Sequence, residues 1–170
     1  MDLSRLEETP DPDRCPRTDL HSAIVTSFMA HKGEAEDKHL DLVLDDRSVT
    51  GDDCYADMEP SDASLVFDNL IENAIMYTDE GSILVTFEPR GHEIAVIVQD
   101  TGIGIPQTDQ SRIFERFYRV DKARSREVGG TGLGLSLVRH AVERSKGRVS
   151  VKSNPGEGSQ FTVVFPRAKR

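Results

Sequence analysis

The strongest constraint on how this chain can fold is the passage from Ile94 to about Thr131, where IAVIVQD stops abruptly at Asp100 and a long Gly- and Arg-rich stretch follows. Ile94 to Val98 are apolar on both strand faces, which predicts a strand covered on both sides and therefore central in its sheet. Beyond Asp100 only Asp109–Phe117 carries a helical pattern, and so long a stretch with little regular structure inside a compact unit predicts a functional loop. Helical spacing then returns at Leu133, Leu137, Val138, Ala141 and Val142, closed by Gly147.

The remaining periodicity fits around that core. Leu20, Ile24 and Phe28 predict a helix to about Glu36, and alternation at Leu40, Leu42 and Leu44 predicts a strand, with a further short strand at Cys54–Met58. Pro60, Ser61 and Asp62 read as a helix start, and Val66, Phe67, Leu70, Ile71, Ala74 and Ile75 form the apolar face of a helix running to Tyr77. Ile83, Val85 and Phe87 with Ile94–Val98 form a hairpin turning at Arg90 and Gly91, and Arg148–Ser153 and Gln160–Phe165 are two strands joined by NPGEGS. Strands mixed with three main helices, without βαβ alternation, predict a two-layer α/β sandwich with the helices on one face of a mixed sheet. TPDPDRCP breaks the N-terminal scrap LSRLEE from the rest, so a boundary is placed near Pro16: residues 1–16 a linker segment, 17–170 the folded domain.

Composition narrows the function. A length of 170 residues with 36% hydrophobic and 30% charged residues suits one packed domain and excludes full disorder. A net charge of -9 excludes the broad basic surface that nonspecific nucleic-acid binding requires, so any anionic ligand must meet a local basic site. No apolar run approaches the roughly 20 residues that span a bilayer, and no signal-peptide core follows Met1. Cys15 and Cys54 lack metal-ligand spacing and read as inert thiols of a reducing cytoplasm.

Three patterns carry chemistry. In DNLIENAIMYT, Asn69 and Asn73 are four apart on one helical stripe, and amide oxygens are hard ligands suited to Mg²⁺, which takes much of its remaining shell from water and substrate phosphates. In DTGIGI, Asp100 ends a buried strand where its carboxylate can accept from an exocyclic amine, while Gly102 and Gly104 admit a ligand ring against the backbone. In GGTGLGL, glycines lead into a helix N-terminus, a phosphate cradle. This is neither a Walker A motif, there being no Gly-Lys dipeptide in the chain, nor a dinucleotide fingerprint, since no strand leads directly into it. Arg112, Arg116, Arg119, Lys122, Arg124 and Arg126 form a local reversal of sign against Glu115 and Asp121, useful for a polyphosphate.

NLIENA, DTGIGI, FERFYR, GGTGLGL and GEGSQFTVVFP, in that order, resemble the N, G1, F, G2 and G3 boxes of bacterial sensor histidine kinases, over about Thr18 to Pro166. The resemblance implies a Bergerat-type ATP-binding sandwich. It implies that Asp100 recognises the adenine amine with Gly102, Gly104 and Thr162 near the base, that Asn73 coordinates Mg²⁺, and that Asn69 supports metal or phosphates. It places Tyr77 along the nucleotide, Phe114, Phe117 and Tyr118 as anchors of a lid, Arg119 and Arg124 on the triphosphate, and Gly130, Thr131, Gly132, Leu133 and Gly134 around it. Asn69, Arg119 and Arg124 become the expected catalytic group. Hydrolytic members of the superfamily carry a glutamate base where this chain has Asn69, so the resemblance favours a kinase over an ATPase; the alternatives are an ATP-hydrolysing domain or a serine kinase of the anti-sigma type using the same pocket, and a degenerate partner-binding module. Met76 stands where many members have a cationic residue. A phosphoacceptor box is missing, the pair His92-Glu93 falling in a hairpin, and LSRLE resembles the end of a dimerisation-domain helix. The implied partners are that dimerisation domain and a response regulator, with no nucleic acid and no membrane contact by this fragment, which would be the cytosolic part of a membrane-anchored sensor.

Overall fold

A computed structural model describes residues 16–49, 54–119 and 134–168. In chain order these form β1 (Arg17–Asp19), α1 (Leu20–Asp37), β2 (Asp41–Asp45), β3 (Tyr55–Asp57), α2 (Pro60–Met76), β4 (Ser82–Arg90), β5 (Glu93–Asp100), α3 (Gln107–Gln110), α4 (Gly134–Arg144), β6 (Arg148–Asn154) and β7 (Gly158–Pro166). The main sheet has the order β2-β4-β5-β7-β6, β2 and β4 being parallel and the other pairs antiparallel. As its composition predicts, β5 is the middle strand, with Ile94, Ala95 and Val96 fully buried.

Alternation along these strands sends Ile83, Val85, Val96, Val98, Phe161, Val163 and Phe165 toward one face, where they join Ile24 of α1, Val66, Phe67 and Leu70 of α2, and Val138 of α4 in one core. Phe67 meets Phe165 edge to face with ring centroids 6.4 Å apart. Each such buried side chain is worth about 2 kcal/mol of transfer free energy. The architecture is the expected two-layer sandwich, with three long helices and the one-turn α3 among the described residues.

The helices start and join by identifiable contacts. The Asp19 carboxylate caps α1 by accepting from Ser22 N at 3.2 Å, and Pro60 opens α2, where a missing N–H costs nothing. Lys38 Nζ donates to the Ile75 carbonyl at 2.6 Å, adding a charged donor to the longer backbone bond that this carbonyl accepts from Thr78 N at 3.4 Å in the last turn of α2. At the other end of α2, Arg144 of α4 grips the buried Asp62 with two bonds, 2.6 and 3.2 Å long.

One expectation is corrected. Asp109–Phe117 is not a continuous helix: α3 occupies only Gln107–Gln110 behind Pro106, and turns follow to Phe117, whose φ is 66°. Packing overrides helical pattern there, because Ile113 is buried and Phe114 meets Phe161 edge to face from successive turns, with Tyr118 Oη donating to Asp109. The strand near Cys54 lies outside the main sheet, pairing with β1, a strand the periodicity did not predict. The C-terminal segment adds to this small sheet through the Ala56–Arg167 bridge and the bond from Ala168 N to Tyr55 O at 2.7 Å.

Candidate functional site

The chemistry-bearing residues converge where β5 ends. Asp100 is 4% exposed and its Oδ1 accepts from Gly102 N at 2.9 Å and Ser159 N at 3.1 Å. Its Oδ2 accepts from no described residue. Burial pushes this carboxyl above the ordinary carboxylate range, and the two backbone donors oppose that rise without cancelling it. The result is a carboxylate held in one orientation with one oxygen left to accept from a ligand.

The loop after Asp100 is clamped between α2 and the β6–β7 hairpin. Tyr77, half-buried at the C-cap of α2, accepts from Ile103 N through its carbonyl at 3.0 Å. Any side chain at position 102 would run into that carbonyl and lie 2.9 Å from the Thr78 hydroxyl, so the close approach demands glycine. Thr78 itself is fully buried and its Oγ1 has no hydrogen-bond partner among the described residues. On the hairpin side, Gly104 has φ +75° and a Cβ there would strike the Asn154 carbonyl, while Gly156 N donates to Ile103 O at 2.7 Å.

Asn69 and Asn73 lie one turn apart on α2, both half-buried. Asn69 Nδ2 donates to the Leu65 carbonyl at 2.7 Å, which fixes the amide flip and leaves Oδ1 facing the start of α4, where a Cβ on Gly134 would lie 2.8 Å away. The helix bearing the asparagines and the helix that follows the Gly-rich segment therefore meet at this point. The Asn73 side chain bonds to no described residue, so its carbonyl oxygen is an uncommitted hard ligand. Arg119 is half-buried at the edge of the described segment. Arg124, Gly130, Thr131, Gly132 and Leu133 lie outside the described residues.

Two expected placements fail. Thr162 does not face Asp100: it pairs with Ile97 and Ser150 on the sheet face opposite Asp100, because side chains alternate along β7. The residue beside Asp100 is Ser159, its cross-strand partner, whose hydroxyl lies 2.8 Å from that of Ser153. Phe117 does not join the core: its backbone is left-handed, its ring is 64% exposed, and the Arg116 guanidinium lies 5.5 Å from the ring centroid. Phe114 and Tyr118 do pack inward, against Phe161 and Asp109. Ser153, Ser159 and Thr78 escaped the sequence reading; two serines placed symmetrically on either side of NPGEG were the available signal. The pair His92-Glu93 sits, as expected, at the exposed turn between β4 and β5.

A sheet with one helical layer, and an acidic strand end facing an asparagine-bearing helix, define a nucleotide-binding class. Residues 58–169 match the family described as histidine kinase-, DNA gyrase B- and HSP90-like ATPase, and the chain belongs to it. Within that family it is similar to sensor kinases. It is 39% identical to the sensor-like histidine kinase SenX3 of Mycolicibacterium smegmatis, over 98% of this chain and 42% of that protein. It is 40% identical to the sensor histidine kinase RppB of a Synechocystis strain, over 96% of this chain and 36% of the other. The chain thus spans about two fifths of the curated relatives it matches. Its fold superposes on the catalytic domain of the histidine kinase ThkA with a TM-score of 0.76 at 24% identity, covering 91% of this chain and 98% of that one. Among the described residues no helix is long and apolar enough to cross a membrane.

Proposed function

We propose that this chain binds Mg-ATP and donates the γ-phosphoryl group to a histidine on a separate dimerisation domain, as one step of two-component signalling. The observation that carries this reading is the Asp100 carboxylate, one oxygen tied by two backbone donors and the other left as an acceptor for an exocyclic amine. Asn69 lies against Gly134 at the junction of α2 and α4, where phosphates would be expected, with Asn73 one turn further along α2. Asn73 fits Mg²⁺ through its uncommitted amide oxygen, with Asn69 supporting the metal or the phosphates; the ion, when bound, neutralises phosphate charge as the phosphoryl group moves.

The chain's own part in the reaction is positioning. The Asp100 loop holds the base, Tyr77 lines the nucleotide, and Arg119 with Arg124 offsets charge on the triphosphate. Asn69 is an amide, which has no basic atom to take a proton from water, and so it supports transfer rather than hydrolysis. Residues 1–16 connect this domain to the dimerisation domain, a response regulator is the downstream acceptor, and the setting is the cytosolic side of a membrane-anchored sensor.

The test supplies a dimerisation domain in trans with γ-labelled ATP. Acid-labile label on its histidine, absent with Asp100→Asn, is the expected result. Sustained phosphate release by the chain alone, with no labelled histidine, would overturn the assignment to transfer.

A further inference from the structure

Ser153, near the end of β6 and 8% exposed, sits in a network whose protons can be counted. Its Oγ accepts from Ile105 N at 2.8 Å, lies 2.8 Å from the Gly158 carbonyl oxygen, and lies 2.8 Å from Ser159 Oγ. A hydroxyl has one proton and two lone pairs. The Gly158 carbonyl brings no proton, so the one between these oxygens is Ser153's. The Ile105 N–H takes one of its lone pairs. The proton shared with Ser159 must then come from Ser159 and occupy the other lone pair.

Ser159's only proton is therefore committed, and its hydroxyl offers lone pairs alone. Beside it on the same sheet face stands Asp100, whose Oδ1 is saturated by two backbone donors and whose Oδ2 is an acceptor. Two acceptor groups side by side attract an amine and repel a carbonyl oxygen placed at the same point. We infer that Ser153 is a positioning residue: it locks the Ser159 hydroxyl as an acceptor and thereby favours a purine bearing an amine over one bearing an oxo group. This rests on reading the Asp100 site as the base pocket.

Removing Ser153 leaves the Ser159 hydroxyl free to rotate and donate. The test is calorimetric titration of Mg-ATP and Mg-GTP into the wild-type chain, Ser153→Ala, Ser159→Ala and the double variant. The wild type is expected to favour ATP. Ser153→Ala is expected to reduce the ATP-to-GTP affinity ratio about tenfold, the value of one well-oriented hydrogen bond, and to reduce it no further when Ser159 is already alanine. Ser153→Cys, nearly the same size with a weak donor, is expected to lower the ratio in the same direction and serves if the alanine variant does not fold. An unchanged ratio in Ser153→Ala, or an effect that persists in the Ser159→Ala background, overturns the role of Ser153 while leaving the pocket intact. Absence of ATP binding by the wild type, or full ATP affinity in Asp100→Asn, overturns the pocket itself and this inference with it.

Discussion

Replacing Gly104 by alanine isolates how tightly the loop after Asp100 is held against the β6–β7 hairpin. Gly104 has φ +75°, and an added Cβ would meet the Asn154 carbonyl and the Cα of Pro155, backbone atoms that no rotamer change can move aside. The left-handed conformation alone costs an alanine about 1.5 kcal/mol. Displacing the Asn154 backbone adds an overpacking cost of about 2 kcal/mol. Gly156, in the adjoining turn, provides the control: its φ is +80°, but nothing lies within 4 Å of a Cβ built there. Gly156→Ala should therefore cost about 1.5 kcal/mol from conformation alone. At about 3 °C per kcal/mol for a domain of this size, thermal unfolding followed by circular dichroism should show a fall of about 10 °C for Gly104→Ala and about 5 °C for Gly156→Ala. Equal losses in the two variants would refute the claim that the loop is clamped backbone to backbone.

Other groups give sharper chemical readouts. Because burial raises the Asp100 carboxyl above its unfolded value, the folded chain holds that proton more tightly, and stability falls as pH rises from the unfolded carboxylate range through the raised value. Asp100→Asn should remove that slope and raise the melting temperature of the nucleotide-free chain near neutral pH while abolishing ATP binding; a destabilised variant would contradict this. For His31 of α1, desolvation lowers the imidazole pKa, but the Glu72 bond at 3.0 Å, the Ser27 carbonyl at 2.7 Å and the Glu72 and Asp68 charges together raise it. Its stabilisation is then present below the ordinary imidazole range and lost as pH rises through the raised value, and melting curves from pH 5 to 9 should lose most of that step in Glu72→Gln. Asp62→Asn, which weakens the Arg144 grip between α2 and α4, should cost about 1 kcal/mol in urea unfolding, half-exposed Arg144 limiting the effect.

The parts of this molecule legible in the sequence are those governed by local pattern. Doubly apolar Ile94–Val98 placed β5 at the centre of the sheet, and the apolar stripe from Val66 to Ile75 placed α2 and its two asparagines within a residue or two. What escaped depends on partners distant in sequence. β1 is three residues long and exists because β3, some forty residues on, offers it an edge. The turn chemistry after α3 follows from Phe114 reaching Phe161, a contact between segments with no shared periodicity. At the site, Asp100, Gly102 and Gly104 were readable as an acceptor beside an open backbone, but placing Ser159 rather than Thr162 beside Asp100 needed the strand register, since an odd offset along β7 reverses the face.

Titration of Mg-ATP into the wild-type chain and into Asp100→Asn tests the central claim most directly. Saturable binding by the wild type, weakened at least about tenfold when the acceptor becomes an amide, is the predicted result. Equal affinity in the two proteins, or no binding by either, would contradict the assignment of this strand end as the nucleotide site.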